Sequence, residues 1–190
     1  MSNVLTETDF VVKRRPQVFE VRTGYDICDP QGDSALASVE QVGRDNIEKL
    51  TRPQRADNAK TFLELRDASG PVLVLTHIQA AKSSLVVARP DGVELGRVRL
   101  EKLFGKSRFA IEAAGVGMGT VAARTWRNKN FAVCDGSGAE VAQVDMTRGS
   151  SGDASHDNQY AVHVDPAVAD PLRALAVAVV IAVDMILWTR

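Results

Sequence analysis

The chain has 190 residues, a net charge of −1 and a composition that is 45% hydrophobic, which suits one globular domain with a substantial core. Its two cysteines exclude a disulfide framework, and the first residues, MSNVLTETDF, lack the apolar core of a secretory signal. We therefore expect a reduced, cytoplasmic protein.

Most of the chain consists of short runs of alternating apolar and polar residues that end in Asp-Gly turns. The clearest turns follow the pattern D-x-x-G in Tyr25–Gly32, Leu63–Gly70 and Phe131–Gly138, and Val86–Gly92 is a variant. Aspartate starts turns by bonding its own backbone, and glycine accepts positive φ, so each copy predicts a hairpin tip. Both cysteines, Cys28 and Cys134, directly precede the turn aspartate and are expected at strand ends.

The flanking runs predict many short strands, which favours a β-barrel or a sandwich. The predicted strands are Phe19–Val21, Tyr25–Cys28, Thr61–Leu65, Val72–Thr76, Leu85–Ala88, Gly96–Leu100, Arg108–Glu112, Thr120–Thr125, Phe131–Cys134, Glu140–Asp145 and Ala161–Val164. Two polar segments, Arg44–Lys60 and Thr147–Gln159, are predicted as loops and are too short to form a second domain.

Basic residues are concentrated in the middle of the chain. Residues 96–129 contain eight Lys and Arg against two Glu, a net charge of +6. Such a concentration can attract phosphates or anionic lipid, although a solvated charged face is the simpler alternative. Six of these residues flank two predicted turns and are our candidates for binding lipid phosphates: Lys102, Lys106, Arg108, Arg124, Arg127 and Lys129. Phe104 and Trp126 belong either at a membrane interface or in the core, and a core position is favoured for Trp126.

The sequence does not predict an enzyme or a cofactor. Gly115–Gly119 departs from the dinucleotide-binding pattern at Thr120 and precedes a strand, so it is interpreted as a hairpin tip. His77, His156 and His163 have no metal-ligand spacing, and no nucleophile and base are placed together. We accordingly expect no catalytic residues.

The C-terminal segment from Pro171 to Arg190 is the most apolar part of the chain. No residue from Ala174 to Val183 is polar, and a helix that is apolar all round must be enclosed by protein or lipid. A helix over Leu172–Trp188 would span about 25 Å, less than the ~30 Å of a bilayer core. It also contains Asp184, which costs roughly 2.5–3.5 kcal/mol near mid-membrane. We therefore predict a helix enclosed by a β-barrel.

Two aspartates, one before the predicted helix and one inside it, have expected roles. Asp170 is placed to cap it, with Pro171 in its first position. A buried Asp184 requires a partner, and its place near the helix end favours water or backbone N–H groups over catalysis.

The end of the chain resembles phospholipid scramblases. The resemblance is carried by Asp157-Asn158, Tyr160, the short strand Ala161–Val164, Asp165 and the apolar helix with Asp184. The D-x-x-G hairpins are also similar to those of plant LURP-one-related proteins and Tubby C-terminal domains. The resemblance covers roughly residues 18–190 and implies one domain there, after an N-terminal segment 1–17.

The fold that the resemblance implies is a barrel of about twelve strands closed around a hydrophobic helix at about 171–188. The function that it implies concerns membrane lipids. The Pro-rich and Cys-rich regions of eukaryotic scramblases are missing. Their acidic calcium-binding stretch is reduced to Asp153, Asp157 and Asp165, whose spacing is not that of an EF-hand, so these are only weak calcium candidates and no metal site is predicted.

Three functions remain open from the sequence. The first is peripheral binding of anionic phospholipid headgroups, or of a membrane surface, through the basic residues. Phospholipid scrambling is implied by the resemblance alone. The second is a scaffold that presents the two loops to a protein partner. The third is a tail-anchored integral scramblase. No nucleic-acid partner is expected.

Overall fold

The computed structural model describes residues 4–15, 23–42, 60–148 and 158–188. Within these residues a 3₁₀ turn (Val4–Thr6) precedes twelve strands and one α-helix. The strands are β1 (Asp9–Arg14), β2 (Gly24–Cys28), β3 (Ala35–Gln41), β4 (Lys60–Asp67), β5 (Gly70–Ile78), β6 (Ser84–Ala88), β7 (Glu94–Lys102), β8 (Arg108–Ala113), β9 (Val116–Ala123), β10 (Asn130–Asp135), β11 (Glu140–Arg148) and β12 (Asn158–Val164), and helix α1 spans Leu172–Leu187.

The strands form a closed barrel in which each strand pairs antiparallel with its sequence neighbours. Closure is made by β1 and β12, where Val11 lies opposite Ala161. This architecture confirms the predicted β-barrel around a C-terminal helix. Because consecutive strands alternate in direction, the described connections fall at two opposite ends of the barrel.

One end, which we call the Asp-Gly end, contains the connections 29–34, 68–69, 89–93, 114–115 and 136–139. The other, which we call the basic end, contains 79–83, 103–107 and 124–129. Helix α1 follows β12 at the Asp-Gly end and runs through the barrel, so its last residues lie at the basic end. The two ends therefore differ in their chemistry.

The tight turns of the Asp-Gly end have the geometry that their sequence predicts. Asp135 accepts hydrogen bonds from the N–H groups of Ser137 and Ala139, while the Gly138 N–H donates to the Asp135 carbonyl at 3.0 Å. The turn glycines have positive φ: Gly32 (79°), Gly70 (122°), Gly92 (89°) and Gly138 (88°). The four D-x-x-G or variant hairpins are thus confirmed.

The core consists of inward-facing strand residues packed around α1. Alternation is clear in β10, where Phe131 and Val133 are fully buried, and in β4, where Leu63 and Leu65 are buried. Every residue of α1 from Ala174 to Ile186 is buried. The alternation of alanine with valine keeps the helix slim, which allows twelve strands to close around it.

The enclosure of α1 contradicts the tail-anchored alternative, which requires the same side chains to face acyl chains. Ala174–Ile186 instead pack against the protein's own strands. Within the described residues, no helix combines the length and the apolar character needed to cross a bilayer.

The start of α1 differs from the prediction. Pro171 is the N-cap residue, and no side chain caps the helix. The chain already turns at Ala169, whose carbonyl accepts the N–H of Arg173 at 3.1 Å. Asp170 therefore lies within this turn, with its carboxylate 3.9 Å from Arg89, and the predicted Asp170 cap is wrong.

The sequence missed two strands, β1 and β3. Because β1 (9–14) closes the barrel, the boundary predicted at residue 18 is wrong, and the barrel begins before it. Predicted strand Phe19–Val21 lies outside the described residues. So does most of the two predicted loops, although Lys60 belongs to β4, residues 147–148 to β11 and residues 158–159 to β12.

Candidate functional site

Two turns of the basic end lie side by side. Strand β8 pairs with both β7 and β9, so the connections 103–107 and 124–129 are neighbours. The Ser107 N–H donates to Asn128 Oδ1 at 2.9 Å, and Asn128 Nδ2 donates to the Gly105 carbonyl at 3.1 Å. We call residues 102–108 and 124–129 the paired turns. These bonds make the paired turns one surface.

Each turn contains a residue whose backbone has a positive φ. Gly105 and Asn128 have positive φ, 76° and 52° respectively, a region that glycine and asparagine enter most readily. Buried Ser107 donates its hydroxyl to the Leu103 carbonyl. Ser107 and Asn128 were not predicted as positioning residues, although an asparagine in a turn is a signal for this conformation.

All six predicted cationic residues belong to the paired turns. Three arginines have partners: Arg108 pairs with Glu101 at 3.3 Å, Arg124 pairs with Glu140, and Arg127 lies over the Trp126 ring at 5.4 Å. The lysines, Lys102, Lys106 and Lys129, form no ion pair with any residue that the structure describes. Lys102 and Lys106 are exposed and Lys129 is half-buried. Three ammonium groups are therefore available to an anionic partner.

Phe104 and Trp126 extend from the paired turns into solvent, with 83% and 71% of their surfaces exposed. The core position favoured for Trp126 is therefore wrong. Both residues lie in the connections between strands and outside the core. Aromatic and cationic side chains are thus exposed on the same surface.

A second polar cluster lies inside the basic end, around fully buried Asp184. Its Oδ2 accepts from Arg14 Nη1 at 3.1 Å and from the Tyr25 hydroxyl at 2.8 Å. Its Oδ1 accepts from Asn158 Nδ2 at 2.9 Å and from the Tyr160 hydroxyl at 2.7 Å. The predicted need for a partner is confirmed, but the partners are side chains of β1, β2 and β12 instead of water or backbone N–H groups.

Both carboxylate oxygens of Asp184 are fully occupied by hydrogen bonds from within the protein. Four donors occupy both carboxylate oxygens, which satisfies the hydrogen-bonding capacity that a buried carboxylate must fill. Burial raises the pKa of Tyr25 and Tyr160, and the nearby charge of Asp184 raises both further. This arrangement fixes the end of α1 and does not present a nucleophile or a base to a substrate.

The structure provides no support for a calcium site in the residues it describes. Asp153 and Asp157 lie outside them, and the Asp165 carboxylate accepts a hydrogen bond from the Ala167 N–H at 2.8 Å. Across the described ranges, no group of three or more His, Cys, Asp or Glu side chains is placed to hold a metal ion. Cys28 and Cys134 are both free thiols at strand ends, as predicted, and burial raises the pKa of Cys28.

The hairpin tip predicted at Gly115–Gly119 is found only at its first residue, because residues 116–119 belong to strand β9. Ala114 and Gly115, with φ of 49° and 77°, form the turn between β8 and β9, and the other glycines belong to β9. Gly119 lies so close to β10 that a Cβ there would be 2.1 Å from the Cys134 carbonyl oxygen. Gly115 thus allows the turn, and Gly119 allows the close approach of β9 to β10.

Comparison with known proteins gives one match. No curated protein and no solved structure matches the chain. The family model of the LURP-one-related proteins matches residues 8–184, from just before β1 to Asp184 in α1. The wider kinship with scramblases and Tubby domains stays a prediction. Since the match covers nearly the whole barrel and its helix, the chain belongs to the LURP-one-related family.

Proposed function

We propose that this protein binds anionic phospholipid headgroups through the paired turns and associates peripherally with membranes. The observation that carries the proposal is that six cationic residues belong to two neighbouring, hydrogen-bonded turns at one end of the barrel. Phosphate groups are natural partners of these turns, because a concentration of positive charge attracts anionic groups.

The pairing of the charges supports a division of roles within the cluster. Arg108 and Arg124 are held by glutamates, so part of their charge is already neutralised. The lysines Lys102, Lys106 and Lys129 have no such carboxylate partner among the described residues. We therefore assign the phosphate contacts mainly to the three lysines.

The hydrogen bonds between the turns support a preorganised site. Asn128 links the two turns by both ends of its side-chain amide, so the lysines are presented on a shared framework. A preorganised surface loses less conformational freedom on binding than a flexible one does. The proposal is limited to binding and does not include movement of lipid between leaflets.

Vesicle sedimentation tests the proposal. Each basic residue near an anionic surface contributes about 1 kcal/mol, so the variant Lys102→Gln/Lys106→Gln/Lys129→Gln should bind vesicles with acidic lipid roughly 100-fold more weakly. Replacing the same three residues with arginine should preserve binding. Binding by the unaltered protein should fall as salt is raised, because exposed charges are screened.

The matched control removes three charges elsewhere. Arg66, Arg89 and Arg97 are exposed residues of β4, the β6–β7 turn and β7, and each lies next to a carboxylate. Their triple replacement by glutamine changes the net charge equally and should leave vesicle binding intact. Equal loss of binding in both triple variants, or equal and negligible sedimentation with neutral and acidic vesicles, would refute a specific site at the paired turns.

A further inference from the structure

We propose that the paired turns dock on the bilayer itself, with Phe104 and Trp126 inserted at the boundary between headgroups and acyl chains. This inference rests on the proposed function, because the cations bring the turns to the surface. It adds an apolar component that a free headgroup or a soluble phosphate cannot engage. The partner is thus a lipid surface.

The distribution of exposed aromatic residues supports this docking. Among the described residues, every exposed aromatic side chain lies at the basic end: Phe104, Trp126 and Trp188, which is 40% exposed and directly follows α1. The exposed apolar residues of the Asp-Gly end are valines, Val93 and Val116. Tryptophan in particular favours the membrane interface, where its ring has an apolar body and a polar N–H.

Arg127 brings a positive charge next to the aromatic ring of Trp126. Its guanidinium lies over the Trp126 ring, so one face of the ring is covered by a cation. At the interface this arrangement places the positive charge at headgroup depth while the uncovered ring contacts the upper acyl chains. Without a lipid or protein partner, the uncovered part of the Trp126 ring would remain in water.

The rigidity of the paired turns supports insertion without refolding. Gly105 and Asn128 set the turns, and the bonds of Asn128 to Ser107 and Gly105 hold them together. Phe104 and Trp126 therefore project from one framework. Insertion then requires no rearrangement of the strands.

Tryptophan fluorescence tests the insertion directly, because the chain has only two tryptophans. In the variant Trp188→Phe, all tryptophan emission comes from Trp126. Adding vesicles with acidic lipid should shift this emission to shorter wavelength, and lipids brominated in the upper acyl chain should quench it. The variant Phe104→Trp/Trp126→Phe/Trp188→Phe, which reports from the neighbouring turn, should behave in the same way.

The control probe belongs at the opposite end. Val93 is 56% exposed in a turn of the Asp-Gly end, so Val93→Trp with Trp126→Phe and Trp188→Phe places the only tryptophan far from the proposed contact. This probe should show no shift and no quenching by the brominated lipid. Quenching at both ends would indicate adsorption without orientation and would overturn the inference.

The outcomes separate the inference from the proposed function. Sedimentation with acidic vesicles without quenching of Trp126 would leave headgroup binding intact and refute insertion. No sedimentation at all would refute both. Quenching that persists in the triple lysine-to-glutamine variant, with binding equal to that of the unaltered protein, would support insertion and refute the cationic site. A shift that grows with protein concentration in the absence of vesicles would assign the surface to self-association and refute lipid docking.

Discussion

At the scale of single residues, Asp184 is a fully buried carboxylate that pairs with the Arg14 side chain. The Arg14 side chain is itself only 12% exposed. The sequence showed that such a carboxylate requires a partner, but the partners come from β1, β2 and β12, far away in the chain. Their identity depends on barrel closure, and β1 was not predicted.

Removing the carboxylate should strongly destabilise the fold. Asp184→Ala leaves the Arg14 charge without its partner at a largely buried site, so we expect a loss of about 3–5 kcal/mol in the free energy of unfolding. Tyr160→Phe removes one hydrogen bond to the charged group and should cost about 1.5–3 kcal/mol. Urea unfolding measures both.

An exposed pair is the control for this comparison. Arg97→Ala breaks the solvent-exposed pair with Glu94, and exposed ion pairs contribute little. The Asp184 cluster would lose its proposed structural role if Asp184→Ala were no more destabilising than Arg97→Ala.

Because of the tyrosines in the Asp184 cluster, we predict that the fold loses stability at alkaline pH. The folded-state pKa of Tyr25 and Tyr160 is raised by burial and then by Asp184, whereas an unfolded tyrosine titrates near pH ~10. The neutral phenols therefore stabilise the fold fully below pH ~10, and this stability is lost as the pH rises towards the folded-state pKa.

Tyrosinate absorbance reports on this cluster alone, because the chain has only these two tyrosines. We expect little tyrosinate near pH 10 in the native protein and its appearance together with loss of the circular dichroism of the folded state. In urea both residues should titrate near pH ~10. Titration of both phenols near pH 10 with the fold intact would contradict the burial of both tyrosines against Asp184.

At the scale of elements, α1 is anchored at both ends by its two charged residues. Asp184 bonds the strands at the basic end, while the Arg173 guanidinium donates to the backbone carbonyls of Leu5, Glu7 and Asp165 near the helix start. In the sequence, Asp184 argued against a membrane span. The structure shows that both charged residues fix the position of the helix along the barrel axis.

The elements also show what local patterns can predict. The D-x-x-G hairpins and the enclosed helix were predicted because their signals, turn chemistry and continuous apolarity, are local. Strand β3 (ALASVEQ) has a weak alternation with small side chains, and only Ala37 and Val39 are well buried in it. Its place in the barrel is decided by pairing with β2 and β4, which no local pattern reveals.

Strand β9 offers a test of the close packing between elements. Gly119→Ala would place a Cβ against the Cys134 carbonyl oxygen, a backbone atom that cannot move independently, whereas nothing lies within 4 Å of the corresponding position at Gly117. Gly119→Ala should therefore lower the free energy of unfolding by roughly 1–3 kcal/mol.

Gly117→Ala is the matched control, since it lies two residues away in the same strand. It should unfold at nearly the same denaturant concentration as the unaltered protein. Similar unfolding midpoints for all three proteins would contradict the tight approach of β9 to β10.

At the scale of the whole molecule, the barrel has two chemically different ends. The Asp-Gly end consists of tight turns, while the basic end contains the paired turns, the three exposed aromatic residues and the end of α1. The six cationic residues were identified from the sequence because their concentration is visible there. The glutamate partners of Arg108 and Arg124, and the bridge made by Asn128, depend on which hairpins are neighbours and could not be predicted.

The central claim is that the basic end, and not the Asp-Gly end, faces the membrane. Hydrogen exchange of the unaltered protein, measured with and without acidic vesicles, tests it most directly. We predict that vesicles slow exchange in residues 102–108 and 124–129 and leave the turns at 89–93 and 136–139 unchanged. Slower exchange in the Asp-Gly turns, or no change in the paired turns while the protein is bound, would contradict the account.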